Sequence, residues 1–264
     1  MYAFEYHRPN TLSGALAALA QSDAKALAGG QTLLPTMKQR LAQPSAIVEL
    51  SDVPELKGIT RERDAVVIGA MTRHVEVNQS PVVKDAIPAL AALAGGVGDP
   101  HVRNRGTIGG SLANNDPTAD YAAAALALGA TIVTSKRRIV ADDYFKGLFE
   151  TALDADELIT QVSFPVPQKA AYAKFPNPAS RYALVGVFVA KTAGGVRVAV
   201  TGAGENGVFR VQAFETALNG NFSSSALNGL SVPAAGLSSD IHADADYRAH
   251  LIGVLAKRAV AAAG

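Results

Sequence analysis

The chain has 264 residues, a net charge of +1 and 48% hydrophobic residues, enough for a real core in one large domain or two to three small ones. A charge so near zero, with its only basic cluster at "KRR" 136–138, argues against nucleic acid as a partner, and no apolar run is long enough for a transmembrane segment. With no cysteine, disulfides, thiolate metal sites and any iron–sulfur cluster ligated by this chain are excluded, and the absence of a signal peptide at "MYAFEYHRPN" points to the cytoplasm.

"TLSGALAALAQS" places Leu12, Leu16 and Leu19 at helical spacing behind a cap at Thr11 or Ser13. "AKALAGG" reads as a strand running into a tight loop, "TLLPTMKQRLA" as a short helix with Pro35 in its first turn, and "AIVELS" as a buried strand. A second unit opens with the polar turn "RERD" and the strand "AVVIGA". "PVVKDAIPALAALAGGV" reads as one helix stopped by Gly95 and Gly96, and "DYAAAALALGA" as another stopped by Gly129. "TIVTSKRRIVA" is a hairpin with a solvated turn, and "DELITQVSFPV" a strand ending at Pro165 and Pro167. Beyond it come a hairpin around Gly194-Gly195, a Ser- and Gly-rich exposed loop, and helices at "VQAFETALNG" and "DYRAHLIGVLAKRAVAAA". The pattern divides the chain into units 1–55, 56–168 and 169–264.

Two segments, "AGGQTLLP" at 28–35 and "RGTIGGSLANNDP" at 105–117, share a glycine pair followed by small polar side chains. Read as loops, both expose backbone N–H groups in anion-binding nests, and two nests suit a ligand with two phosphates. The dinucleotide fingerprint G-x-G-x-x-G and the P-loop are both absent; "GGVGDP" lacks the third glycine and a following helix. Asp99, Asp116 and Asp120 flank the second segment, and Asp120 is placed either to cap a helix or to accept from a ligand. The five histidines, His7, His74, His101, His242 and His250, show no metal-ligand spacing and read as surface or internally satisfied groups. No nucleophile–base pair stands out, so no catalytic residue and no metal ligand is assigned.

"AGGQTLLPTMKQRLAQPSAIVELSDVPELKGI", "GDPHVRNRGTIGGSLANNDPTADYAAAALALGA" and "KFPNPASRYALVGV" together resemble the FAD-binding medium subunit of molybdenum hydroxylases. The carbon monoxide dehydrogenase branch is the nearest in appearance, and the xanthine dehydrogenase flavin domain is more distant. The resemblance implies an α+β fold: two α/β FAD-binding subdomains of the p-cresol methylhydroxylase/vanillyl-alcohol oxidase type, then a C-terminal domain of small antiparallel sheet and helices. It implies that Ala26, Leu27, Ala28, Gly29, Gly30, Gln31, Thr32 and Leu33 cradle the FAD pyrophosphate. Thr107, Ile108, Gly109, Gly110 and Ser111 lie along the cofactor, and Asp120 binds on the nucleotide side. Val97, Ile159 and Lys174 are implied to lie near FAD, Asn114 and Asp116 are further candidates, and Tyr182 lies against the isoalloxazine. That branch commonly has His where this chain has Gln31, which loses a titratable ring.

The same resemblance implies an oxidoreductase subunit working with a large molybdopterin-binding subunit and a small [2Fe–2S] subunit, as a dimer of heterotrimers. Electrons would pass from the clusters through FAD to a quinone, NAD or dioxygen. Two other readings stand beside it: a self-contained flavin oxidase of the vanillyl-alcohol type, for which 264 residues leave little room, and a non-enzymatic flavin-binding assembly protein.

Overall fold

The computed structural model describes residues 1–264, and its strands form three main sheets and one short hairpin. β1 (Glu5–His7) leads into α1 (Leu12–Leu19), which starts where the Thr11 hydroxyl accepts the Gly14 N–H at 3.1 Å. β2 (Ala24–Leu27), α2 (Leu33–Lys38) and β3 (Ala46–Glu49) complete a parallel sheet ordered β1-β3-β2. Ala15 and Leu19 of α1 pack on Ala24, Ala46 and Val48 of its inner face.

β4 (Ile59–Glu62) and β5 (Ala65–Gly69) form a tight hairpin. The expected turn "RERD" is therefore only half right. Arg61 and Glu62 belong to an exposed edge strand, which tolerates charge, and Arg63 turns the chain at φ 53°. α3 (His74–Gln79), α4 (Pro81–Ala86) and α5 (Pro88–Gly95) follow. The single helix expected over 81–97 is broken, because Pro88 supplies no N–H and forces Ile87 out of helical geometry, to φ −141° and ψ 69°.

α6 (Pro100–Arg105) and α7 (Ile108–Asn114) occupy the stretch read as a polar loop, and α6 is the helix that "GGVGDP" was expected to lack. Each is capped locally: Asp99 accepts from the Val102 N–H at 2.9 Å, and Thr107 from the Gly110 N–H at 3.1 Å. Neither is long enough to show an amphipathic stripe. α8 (Asp120–Leu128) is buried at every residue, and its alanines let the third sheet approach closely.

β6 (Thr131–Thr134), β7 (Arg138–Val140), α9 (Ala141–Tyr144), the hairpin β8 (Phe145–Gly147) and β9 (Glu150–Thr151), and β10 (Ile159–Pro165) complete the middle of the chain. The second sheet is antiparallel in the order β4-β5-β10-β6-β7. The third is an antiparallel meander of β11 (Lys169–Pro176), β12 (Ala183–Thr192), β13 (Gly195–Thr201) and β14 (Phe209–Arg210), with α10 (Gln212–Gly220) and α11 (Ala245–Ala263) on one face. Alternation along β12 explains its unbroken apolar run. Val185, Val187 and Val189 meet α11, while Phe188 and Ala190 join the core around α8 and β10. The arrangement is α+β, as the resemblance implied.

Candidate functional site

β2 ends at a cleft of about 650 Å³, walled by 28–33, 106–120, 153–159 and 180–182, a size that suits a small-molecule ligand. Of the expected site residues, Ala26, Leu27, Ala28, Gly29, Gly30, Gln31, Thr32, Leu33, Val97, Thr107, Gly109, Gly110, Ser111, Asn114, Asp116, Asp120, Ile159 and Tyr182 all line it. Ile108 and Lys174 do not: Ile108 is wholly inside the core, and Lys174 stands behind Asp120.

The two glycine segments abut each other. A methyl on Gly29 would overlap the Arg105 carbonyl, and one on Gly110 would reach within 3.5 Å of the Ala28 Cβ. A methyl on Gly109 would come within 2.6 Å of Ala70. At Gly29 and Gly109, then, the missing Cβ admits another stretch of this chain rather than a ligand, which corrects the reason expected for those glycines.

The backbone donors of the two segments also differ. Ile108 N–H donates to the Thr72 carbonyl at 3.0 Å, Gly109 to Ala70 at 2.9 Å, Ser111 to Thr107 at 3.0 Å, and Gly110 to the Thr107 hydroxyl. Those amides are spent, so the second nest does not exist. Along 28–33, by contrast, no N–H donates to any acceptor in the chain, and Gly30 sits at φ 72° in the middle of the run. Such a run of free amides at the edge of the cleft can serve as an anion nest. From the second segment the hydroxyl of Ser111 and the amide of Asn114 remain without partners in the chain and line the cleft. Asp116 is partly used, its Oδ1 accepting from the Thr118 N–H at 2.8 Å and hydroxyl at 2.6 Å.

Asp120 is not a helix cap. Ala119 holds the cap position of α8, and the Asp120 carboxylate turns inward instead. It accepts from the Tyr172 hydroxyl at 2.5 Å and from Lys174 Nζ at 2.9 Å, and Lys174 also donates to the Gly96 carbonyl at 3.3 Å. Burial pushes the Asp120 carboxyl up from its ordinary value, against the pull of Lys174 and Tyr172, and drives the Tyr172 hydroxyl far up. Gly186 leaves the room that the Tyr172 hydroxyl occupies. The trio ties α8 to β11 at the cleft wall.

Several lining residues escaped the sequence reading. Lys25 and Arg181 add cations, and Met71, Leu153 and Leu158 add apolar wall. Glu157 is held down to about 2: burial works against ionisation, but Arg137, Thr134 and the Asp154 N–H overcome it. At the rim, Phe149 is 61% exposed at φ 55°, a costly conformation for a bulky residue. Asn115 imposes it by donating to the Gly147 and Glu150 carbonyls at 2.8 Å and accepting the Phe149 N–H at 3.2 Å. His74 is neither exposed nor satisfied, contrary to expectation: it is 4% exposed, lines the cleft, and its Nδ1 has no partner. None of these carries a local motif, since each is defined by contacts far apart in sequence.

Residues 2–167 match the family described as FAD binding domain in molybdopterin dehydrogenase. The carbon monoxide dehydrogenase medium chain of Hydrogenophaga pseudoflava is 36% identical, over 98% of this chain and 96% of its own. The nicotine 6-hydroxylase medium subunit of Paenarthrobacter nicotinovorans is also 36% identical, over 99% of this chain and 98% of its own. Among solved structures, reconstituted CO dehydrogenase from Oligotropha carboxidovorans superposes with a TM-score of 0.90 at 33% identity, covering 99% of this chain and 98% of that one.

Proposed function

This chain belongs to the family of FAD-binding medium subunits of molybdenum hydroxylases, and from that premise we propose that it is the electron-relay subunit of such a complex, with FAD held across the cleft by the open amides of 28–33. The chain is an oxidoreductase subunit whose cofactor is FAD. The residues present fit that cofactor. Six consecutive positions with unspent N–H groups and the cations Lys25 and Arg181 suit a diphosphate, Ser111 and Asn114 suit hydroxyls, and the apolar walls suit planar rings. When bound, the flavin would supply the redox chemistry, a relay between the [2Fe–2S] clusters of a small subunit and a quinone, NAD or dioxygen.

The residues of this chain bind and orient. The 28–33 amides neutralise the diphosphate without a mobile side chain. The Asp120–Tyr172–Lys174 trio fixes a wall that would support the nucleotide. Tyr182, a 49% exposed lining residue, would cover the isoalloxazine and limit access to it. Ile108 contributes packing only. The large molybdopterin-binding subunit completes the complex, as a dimer of heterotrimers. We take 1–55 and 56–168 as the two FAD-holding units and 169–264 as the third; limited proteolysis of the apo chain should cut first near 55 and 168. No helix is long and apolar enough to cross a membrane.

The carrying observation is the run of unpaired amides on residues that line the cleft. The test is co-expression with the neighbouring molybdenum and iron–sulfur subunits. The reading expects flavin absorbance in the chain, no substrate oxidation by the chain alone, and flavin reduction by substrate only in the assembled complex. Substrate oxidation by the isolated chain would overturn it.

A further inference from the structure

His74 opens α3, and its backbone N–H donates at 3.0 Å to the carbonyl of Gly106, near the start of the second glycine segment. Gly106 is glycine because the imidazole fills its side: a methyl there would stand 2.6 Å from Nε2. The ring lies 5.3 Å from that of Tyr121 and is buried with it. Nδ1 of His74 and the hydroxyl of Tyr121 are both fully buried without a partner. Nε2 also has no partner within the chain but is not sealed off, and His74 lines the cleft.

From this geometry we infer that His74 is a cofactor-positioning residue, a neutral imidazole whose Nε2–H donates to an acceptor atom on a ring of the bound flavin nucleotide. The inference rests on the FAD reading above. A buried donor left unpaired is rarer than a buried acceptor, so the proton sits on Nε2 and the bare lone pair on the sealed Nδ1. Burial first, and the Arg103 guanidinium second, push the imidazole down to about 4, so it stays uncharged at neutral pH. A neutral donor in a cleft that Val97, Met71 and Val102 also line suits a heteroaromatic ring edge, whereas the diphosphate has the open amides. Sequence reading missed the residue because nothing local marks it.

The test uses the full chain, stripped of flavin and labelled with ¹⁵N-histidine. Adding FAD should shift the Nε2 resonance of His74, identified by its loss in His74→Gln. His74→Phe, which keeps the ring volume, should weaken FAD binding about tenfold, the worth of one hydrogen bond, while its thermal midpoint stays near that of the parent. Titrations with ADP and with FMN then tell which ring is touched, since only the ligand bearing it loses affinity in His74→Phe. A parent chain that binds FAD with no change at Nε2, or with equal affinity in His74→Phe, overturns the contact alone. A parent chain that binds no FAD overturns the functional reading and the contact with it. Should His74→Phe fail to fold, the resonance shift in the parent decides.

Discussion

The segments 28–33 and 105–117 look alike on paper, each with paired glycines and short polar followers, yet they have opposite donors to offer. In 28–33 the backbone is free and the side chains are incidental; Gln31 merely donates to the Gly29 carbonyl at 3.3 Å. In 105–117 the backbone is consumed by Thr72, Ala70 and the Thr107 cap, and what faces the cleft are side chains, Ser111 and Asn114. Glycine in sequence therefore signals close approach without saying to what. The list of acceptors decides whether the amide is left for a ligand.

The sharpest way to break this comparison lies just beyond the second segment. Asp120→Ala leaves the Lys174 ammonium buried and unpaired, which should cost about 3 kcal/mol of unfolding free energy, read by urea denaturation, so any loss of FAD would follow the fold. A variant as stable as the parent would show that Asp120 serves the ligand alone. Gly29→Ala tests the seam. The methyl meets the Arg105 backbone, and about 2 kcal/mol of destabilisation together with weaker FAD binding is expected; unchanged values of both would mean the two segments do not press on each other. Thr107→Ala removes a cap and should cost about 1 kcal/mol of stability with FAD affinity unchanged in a fluorescence titration. An affinity loss would mean that the second segment grips the cofactor through its backbone after all. The smallest effect separates the segments most cleanly. Replacing the amide N–H of Gln31 by an ester oxygen should weaken FAD by about 1 kcal/mol and leave the thermal midpoint in place, whereas the same exchange at Gly109 should lower the midpoint and spare affinity.

Much of the architecture could be read in advance. Periodicity and caps located α1, α8 and α11, and the hairpins at "SKRR" and Gly194-Gly195 stood out through their turn chemistry. The break at Pro88 was also legible, since a residue before proline avoids the helix, but the apolar run hid it. α7 was not legible, because seven residues with two glycines offer no stripe. At the site, the identities of the lining residues came from resemblance, while their physical roles came only from the fold. The ion pair of Asp120 with Lys174 spans 54 positions, and the orphaned imidazole of His74 is defined by a ring and a glycine from distant parts of the chain.

The overlap that forbids even a methyl at Gly29 has a mechanical corollary. With Gly29 seated on the Arg105 carbonyl and Ala28 beside Gly110, that side of the cleft is riveted backbone to backbone. Among the other lining residues, Phe149 and Arg181 are both wound in the left-handed sense and Tyr182 stands open to solvent, so a molecule as large as a dinucleotide is expected to enter past them rather than through that seam.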